Sequence, residues 1–401
     1  MYYLAMKNSL RIVGTNQKHG QDYNRSVVLE NIRMFGPISR AEISEKTLLV
    51  PQTVSNLVKD LIEEQLVIEL ELKRSEPGRR GVTPTMLKVN ANAIMAIGIQ
   101  VQYSTIWGAL VNLNGDILYR EKIEWHLERE SPYFHDILIN LVKALQEVAE
   151  SYPESPNVIG VGVGLPLMYQ LNKNGLLKMP NINDRENFKQ YLESFLKMDV
   201  FIGNNANFAA IGESWMGRGH KFHSFLYVYL GDNVGGGLIV EGNEYNGSSG
   251  RSIELGHTQY IPDGYECYCG GNGCLDQYGS LNAIRRQLGL SDEVSLENIL
   301  KTADSDEQVY KVLDLATSAL SDTIVSALAL LDVPAVVIGG PHAKQLYDLI
   351  ELKLKMRLRQ RCFNSEVVLS EFNIDAGAIG AASNVFHDVL WCKPKNLLKG
   401  D

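Results

Sequence analysis

SIELGHTQYIPDGYECYCGGNGCLD, residues 252–276, sets His257, Cys267, Cys269 and Cys274 within eighteen positions, between the carboxylates Glu254 and Asp276. Three sulfurs and an imidazole are the borderline-soft donor set of a closed, tetrahedral Zn²⁺ site. Four protein ligands leave no position for a catalytic water, so the expected metal is structural. The glycines of the stretch supply the backbone freedom to bring three sulfurs to one point. A glycine-rich turn with incidental cysteines is the plainer reading. Against it, three of the chain's five cysteines fall within eight residues.

A length of 401 residues predicts two or three domains, each able to bury a core. With 45% hydrophobic and 21% charged residues, the composition excludes a disordered chain. The N-terminal MYYLAMKNSLRIVG lacks the pattern of a secretory signal. Apolar runs such as 324–331 end at Asp332 and Pro334, too short to span a bilayer. Cys362 and Cys392 stand apart, a pattern suited to a reducing cytoplasm. The net charge is −9, unevenly spread. Residues 1–90 carry 13 Lys and Arg against 10 Asp and Glu, a balance of +3; the other 311 carry 25 against 37, or −12. A mildly basic head on an acidic body is compatible with a DNA-binding module.

That head reads as three helices. Val27, Val28, Ile32 and Phe35 recur at helical spacing until Gly36-Pro37. Ser39 with Glu42 forms a capping box for a short helix through Thr47. After the apolar turn Leu48-Leu49-Val50, Pro51 opens the third helix, PQTVSNLVKDLIEEQ, with Val54, Leu57, Val58, Leu61 and Ile62 as its buried stripe. Its outer face offers Gln52, Thr53, Ser55, Asn56 and Lys59. Amides and hydroxyls can pair with base edges in a major groove, and Lys59 can meet a phosphate; a merely solvated face is the alternative. Leu66, Ile68, Leu70 and Leu72 predict a strand, and 85–89 its partner. Together these predict a winged helix-turn-helix over residues 1–82, with Arg40 a further candidate DNA contact. Between the strands, Lys73-Arg74 and Pro77-Gly78-Arg79-Arg80-Gly81 suit a phosphate backbone or minor groove, or a solvated linker.

After Asn90 the pattern becomes α/β. Strands are predicted at 93–100, 107–112 and 117–119, a helix at 132–151, a strand at 158–164, a helix at 188–196 and a strand at 200–203 ending in Asn204-Asn205-Ala206-Asn207. A second lobe follows, with strands at 225–230, 238–240 and 335–338, helices at 281–288, 296–301 and 306–331, and a closing helix at 377–386. This rhythm predicts two α/β lobes, 90–203 and 204–401, around a cleft. No internal repeat is evident by eye.

Glu254-Leu255-Gly256-His257 and Cys267-x-Cys269-Gly270-x-x-Gly273-Cys274-Leu275-Asp276 resemble the signature of the ROK family of repressors, open reading frames and sugar kinases. Asn204-x-Ala206-Asn207 with Gly212-Glu213, Ile338-Gly339-Gly340, and the run from Gly377 to Ala382 match the same pattern. Gly14-Thr15-Asn16, Asn24-Arg25, Ser39-Arg40-Ala41-Glu42-Ile43 and Gly78-Arg79-Arg80 resemble its repressor branch, which includes xylose, glucose and N-acetylglucosamine regulators. The resemblance implies an actin-like, sugar-kinase-like body. It covers nearly the whole chain.

The family's kinases carry an Asp-x-Gly-Gly-Thr phosphate loop where this chain has Gln100-Val101-Gln102-Tyr103-Ser104. Side chains there block close approach of backbone N–H groups to a phosphate. The resemblance places the kinase base in Asn-Asp-x-Asn; here Asn205 stands at the Asp, and an amide cannot take up the proton. Asp232-Asn233-Val234-Gly235 replaces a second phosphate loop. The resemblance therefore implies a binding protein rather than an enzyme. It carries the sugar-binding role onto Asn204, Asn205, Glu254, His257 and Asp276, with Asp276 one methylene short of the family's Glu and Leu167 after Pro166 in place of Gly. The expectation is a repressor that binds a double-stranded palindromic operator and a sugar-type ligand as a homodimer or higher oligomer. A regulator controlled by a protein partner is the alternative, and a sugar kinase the remote one.

Overall fold

Ser39 Oγ accepts the Glu42 backbone N–H (3.3 Å) while the Glu42 carboxylate accepts the Ser39 backbone N–H (2.8 Å), the reciprocal cap that the sequence predicts. It starts α2 (Arg40–Thr47), which follows α1 (Gln21–Phe35) and β1 (Ile38–Ser39) and precedes α3 (Pro51–Glu63). The computed structural model describes residues 21–70, 85–102, 105–125, 134–152, 157–166, 185–247, 253–372 and 375–392. The readings at Gly14-Thr15-Asn16, Leu72-Lys73-Arg74, Gly78-Arg79-Arg80, Tyr103-Ser104 and Leu167 lie outside them.

β2 (Val67–Leu70) and β3 (Met86–Val89) complete the head, in an antiparallel sheet of order β1-β3-β2. Two expectations change here. Leu66 and Val67 are the buried pair at the start of β2 while Ile68 is exposed, so the strand does not bury every second residue from Leu66. Val67 pairs with Val89 and Leu70 with Met86, so the head runs on through Val89 rather than ending at residue 82. The basic stretch thus joins two paired strands of the head; it does not link head to body.

The first lobe has β4 (Ile94–Val101), β5 (Thr105–Asn112), β6 (Ile117–Glu124), β7 (Asn157–Leu165) and β8 (Val200–Asn204), with α4 (Phe134–Glu150) and α5 (Arg185–Leu196). Its sheet runs β6-β5-β4-β7-β8. The second lobe has β9 (Phe225–Leu230), β10 (Val234–Val240), β11 (Asn243–Glu244), β12 (Ala335–Gly339) and β13 (Glu366–Leu369), in the order β11-β10-β9-β12-β13. Both sheets follow one plan: three antiparallel strands, then two parallel ones added beside the first. The repeat that is invisible in the sequence is plain in the topology.

Between the lobes lies α6 (Asn205–Trp215), a helix that the hydrophobic periodicity does not announce. Asn204 caps it, its side-chain oxygen accepting the Ala206 N–H at 2.7 Å and the Asn207 N–H at 3.3 Å. One side meets the second sheet, where Ala206 and Ala210 face Gly235 and Gly237. The other meets the closing helix α12 (Ala376–His387). Although assigned by chain order to the second lobe, α12 lies on the first sheet: a Cβ on Gly98 would stand 1.9 Å from the Ala378 carbonyl oxygen, and one on Gly162 2.1 Å from that of Ala381.

The second lobe is completed by α7 (Asp276–Gly279), α8 (Leu281–Leu288), α9 (Leu296–Thr302), α10 (Glu307–Leu331) and α11 (Ala343–Gln360). At 25 residues, α10 is long and apolar enough to cross a membrane, yet Leu313, Leu320, Ile324 and Leu328 bury it in the core of that lobe. The head is fused to the body by a continuous apolar core. Val28, Leu29 and Ile32 of α1 share it with Ala109 and Val111 of β5 and with Val385, Phe386 and Leu390.

Gly380 carries the tightest of these helix contacts, since a Cβ there would lie 1.4 Å from the Phe208 carbonyl oxygen. Gly→Ala inside a helix ordinarily stabilises by about 1 kcal/mol. Gly380→Ala should instead cost roughly 1–3 kcal/mol through overpacking, read as a lower midpoint in thermal or urea unfolding. A midpoint at or above wild type would refute the contact.

Candidate functional site

In both sheets strand order reverses beside the first strand, which places a crevice at the carboxyl ends of the strands. The two crevices face each other. Gln100 and Gln102, at the end of β4, donate to the Tyr229 hydroxyl of β9 at 3.2 and 2.6 Å. Tyr229 is buried, and burial holds its hydroxyl protonated well above the ordinary tyrosine range. Gln100 also abuts Gly377 at the start of α12, where a Cβ would lie 2.4 Å from its amide. Side chains from the ends of β4 and β9 therefore meet across the gap between the lobes.

The metal cluster forms one wall of the second lobe. Donor atoms of His257, Cys267, Cys269 and Cys274 all lie within 4.8 Å of one another. The His257 Nδ1 is 3.5 Å from Cys267 Sγ, and Cys269 Sγ is 3.6 Å from Cys274 Sγ. With bonds of about 2.3 Å, a tetrahedral ion needs its sulfurs about 3.8 Å apart, so the spacing fits. Burial pushes the Cys267 and Cys274 thiols up and keeps His257 neutral, the imidazole form that ligates. A cation among the sulfurs offsets the cost of holding thiolates there. Gly273 is required by the fold of the loop: its φ is +71°, and a Cβ would stand 1.6 Å from the Ile261 carbonyl oxygen. Gln277 supports the cluster from outside, its amide 3.6 Å from Cys267 Sγ.

The residues expected to hold sugar take different positions. Asn204 spends its side-chain oxygen on capping α6, leaving its amide N–H₂ for other partners. Asn205 reaches the Val101 carbonyl oxygen at 3.4 Å. Glu254 precedes the single turn Leu255–His257 that carries His257 into the cluster, and its Oε1 is buried. Asp276 is turned inward, only 2% exposed. Its Oδ1 accepts the Val234 backbone N–H at 2.7 Å, and its Oδ2 accepts from Asn233 Nδ2 at 3.2 Å. Burial pushes its carboxyl up to about 7. Asp276 thus straps the loop after β9 to the metal loop, and Asn233 extends the strap to the Tyr268 hydroxyl (2.9 Å). Sequence spacing does not reveal this use of Asp276, because its partner Val234 is 42 residues away.

On the head, Gln52, Asn56 and Lys59 are exposed on α3, while Thr53 and Ser55 are half-buried. Gln52 donates to Asn56 Oδ1 at 3.0 Å, Lys59 pairs with Glu63 at 3.5 Å, and Arg40 pairs with Glu69 at 2.7 Å. In the turn before α3 only Leu49 is buried; Leu48, in the left-handed conformation at φ 57°, and Val50 are 61% and 56% exposed. Val50 occupies the N-cap of α3 without a side-chain acceptor to offer. A sequence reading takes these apolar residues as turn packing. The structure presents two of them to solvent beside Gln52.

Two repeated α/β lobes around a cleft, with a Cys₃His loop on one wall, define the sugar-kinase-like class of fold. The family model "ROK family" matches residues 96–387, and the chain belongs to that family. It is 28% identical over 389 residues to the putative xylose repressor of Caldicellulosiruptor sp. (strain Rt8B.4), covering 92% of this chain and 96% of that protein. It is 34% identical over 284 residues to the xylose repressor of Bacillus spizizenii (strain ATCC 23059 / NRRL B-14472 / W23), covering 70% and 72%. The crystal structure of a ROK family transcriptional regulator, a homologue of the E. coli MLC protein, superposes with a TM-score of 0.72 at 22% identity, over 94% of this chain and 98% of that one. A ROK family glucokinase from Streptomyces griseus, solved with glucose and AMPPNP, has the same body fold at a TM-score of 0.58 and 24% identity, over 72% of this chain and 98% of that one.

Asp276→Ala leaves the Val234 N–H buried without its acceptor and should destabilise by about 1–3 kcal/mol. Asp276→Asn keeps an acceptor oxygen and should cost less. Equal losses for the two variants in chemical denaturation would remove the strap.

Proposed function

We propose that this chain is a ROK-type transcriptional repressor: a winged helix-turn-helix head, α2–turn–α3 with β2 and β3 as the wing strands, on a body that binds a sugar in the interlobe cleft. The observation that carries the reading is the joining of such a head to a cleft whose phosphate end is filled by Gln100, Gln102 and Tyr229. Similarity to proteins named xylose repressors over nearly the full length supports it. Asn205, an amide, has no means of accepting the hydroxyl proton in phosphoryl transfer, so we read the chain as a binding protein and not a kinase.

In this reading Asn205 and Glu254 meet sugar hydroxyls together with the free amide hydrogens of Asn204. His257 ligates Zn²⁺ through Nδ1 and offers Nε2–H to the ligand, and Asp276 acts behind them by holding Asn233. Gln52 and Asn56 read base edges in the major groove, Val50 meets a thymine methyl, and Lys59, Arg40, Arg79 and Arg80 contact phosphates. The chain works in the cytoplasm as a homodimer on a palindromic operator, whose half-sites match the two heads. Zn²⁺ is structural: bound to four protein ligands, it supplies fold stability and no chemistry.

Release of operator DNA by a sugar tests the whole reading. With operator selected from random duplexes, D-xylose, D-glucose, N-acetylglucosamine and their phosphates are titrated; one of them should shift the operator Kd by about fivefold or more. No shift across the panel favours the protein-partner alternative, and ATP consumption with any sugar restores the kinase. Asn56→Ala should lose about 1–3 kcal/mol on the selected operator and little on random DNA, whereas Lys59→Ala should weaken both and flatten the salt slope by about one.

Purified chain should carry one zinc per protomer by elemental analysis. Cys274→Ser, or a chelator strong enough to strip the ion, should abolish it and lower the thermal midpoint by several degrees. Stoichiometric zinc retained by the Cys274→Ser protein would overturn the ligand set.

A further inference from the structure

We infer that Arg33 is the positioning residue through which the cleft acts on the DNA-binding head, by way of α6; the inference rests on the repressor reading. The helix begins in the cleft at Asn204 and Asn205 and ends at Trp215. Eleven residues make a rod of about 16 Å. Its sides are held by the second sheet and by α12, so a displacement imposed at its start is carried along its axis rather than lost in bending.

At the far end stands Arg33 of α1, whose side chain is 4% exposed. Its Nη1 donates to the Trp215 carbonyl oxygen at 3.3 Å and lies 3.0 Å from Met216 Sδ, and its guanidinium sits 4.2 Å above the Trp215 ring. The ring in turn stacks on Phe386 of α12 at 5.5 Å. Met216 fills the turn between β5 and β6, where a Cβ on Gly115 would come within 2.5 Å of its Cγ. One arginine thus touches the last residues of α6 at the point where head, closing helix and first sheet converge.

The charge explains why this contact is more than packing. Glu30, on the same helix as Arg33, bonds it through Nε at 2.9 Å, so the ion pair travels with the head. What remains of the guanidinium faces a carbonyl oxygen and a ring that belong to α6. Apolar neighbours such as Leu29 and Ile32 tolerate sliding at little cost, because their contacts are non-directional. A buried guanidinium does not: moving the carbonyl or turning the ring strips it of partners in a low-dielectric site, where an unmade bond to a charged group costs several kcal/mol. A small displacement of α6 therefore becomes a choice between two head positions. A sugar touching Asn205 biases that choice only by its difference in affinity for the two states.

The test uses the full chain. Arg33→Met alone would leave Glu30 buried and unpaired, so the first variant is Glu30→Gln/Arg33→Met, and the second is Trp215→Leu, which removes the ring and keeps the carbonyl. For each, operator Kd is measured with and without saturating D-xylose, or whichever panel sugar moves the wild type, and sugar Kd is measured without DNA. Both variants should keep the sugar-free operator Kd and the DNA-free sugar Kd within about threefold, while the ratio of operator Kd values with and without sugar falls from about fivefold or more to within about twofold of one. The ratio of sugar Kd values with and without operator must fall by the same factor, since coupling is reciprocal; a purely structural role would lower affinity or stability and leave the ratio intact. Wild-type ratios in both variants overturn the inference alone. A wild type with no sugar response removes the sugar-controlled reading, and this inference with it.

Discussion

The architecture depends on backbone-to-backbone contact at the centre of the body. α12 lies on the first sheet because Gly98 and Gly162 bring the Ala378 and Ala381 carbonyls within reach of the strands. α6 lies on α12 because Gly212 and Gly380 remove the side chains that would separate them. Close packing of this kind gains dispersion along two whole helices and leaves no void for rearrangement. The lobes therefore meet through two helices held at fixed separation. Motion between them has to be a slide or a turn of α6 against α12 and the second sheet.

The cleft inherits its character from that constraint. With the lobes held in this way, the carboxyl ends of β4 and β9 come close enough for Gln100 and Gln102 to bond Tyr229. In a kinase the same space must admit phosphates and a metal ion, which calls for glycine and free backbone N–H groups. Here side-chain amides occupy it, and the Val234 N–H is taken by Asp276. Asn204 and Asn205 stand at the start of α6 beside that space, with Asn205 on the Val101 carbonyl oxygen. The Cys₃His loop that forms the wall beside it is tied to the loop after β9 through Asp276 and Asn233.

Local chemistry was legible in the sequence, and long-range use was not. The capping box at Ser39, the buried stripe of α3 and the four metal donors depend on residues close in the chain, and each stands where periodicity or spacing puts it. The helix from Asn205 escaped because an asparagine that caps a helix and one that binds a hydroxyl look alike in a sequence; Asn204 does the first with its oxygen and keeps only its N–H₂ for the second. The one-residue phase error in β2 has a similar origin, since Leu66 and Val67 are both buried, one as the strand's entry and one as its first paired residue. The duplicated sheet order was hidden because topology repeats where residues do not. Asp276 and Arg33 belong to the same category: their partners lie 42 and 182 residues away, and only folding brings them together.

The shared core of head and body decides what kind of regulator this fold can be. A head on a flexible tether would feel a ligand only through effective concentration. Here Val28, Leu29 and Ile32 are buried among side chains of β5 and the closing helix, so the head cannot move without repacking apolar surface. Repacking a well-filled core is a change between discrete arrangements rather than a continuous drift. Any such change is resisted most where directional groups enter an otherwise non-directional interface. Among the described residues of α1, Arg33 is the cation that reaches α6, and its guanidinium spans the boundary between the head and the helix that begins beside the cleft.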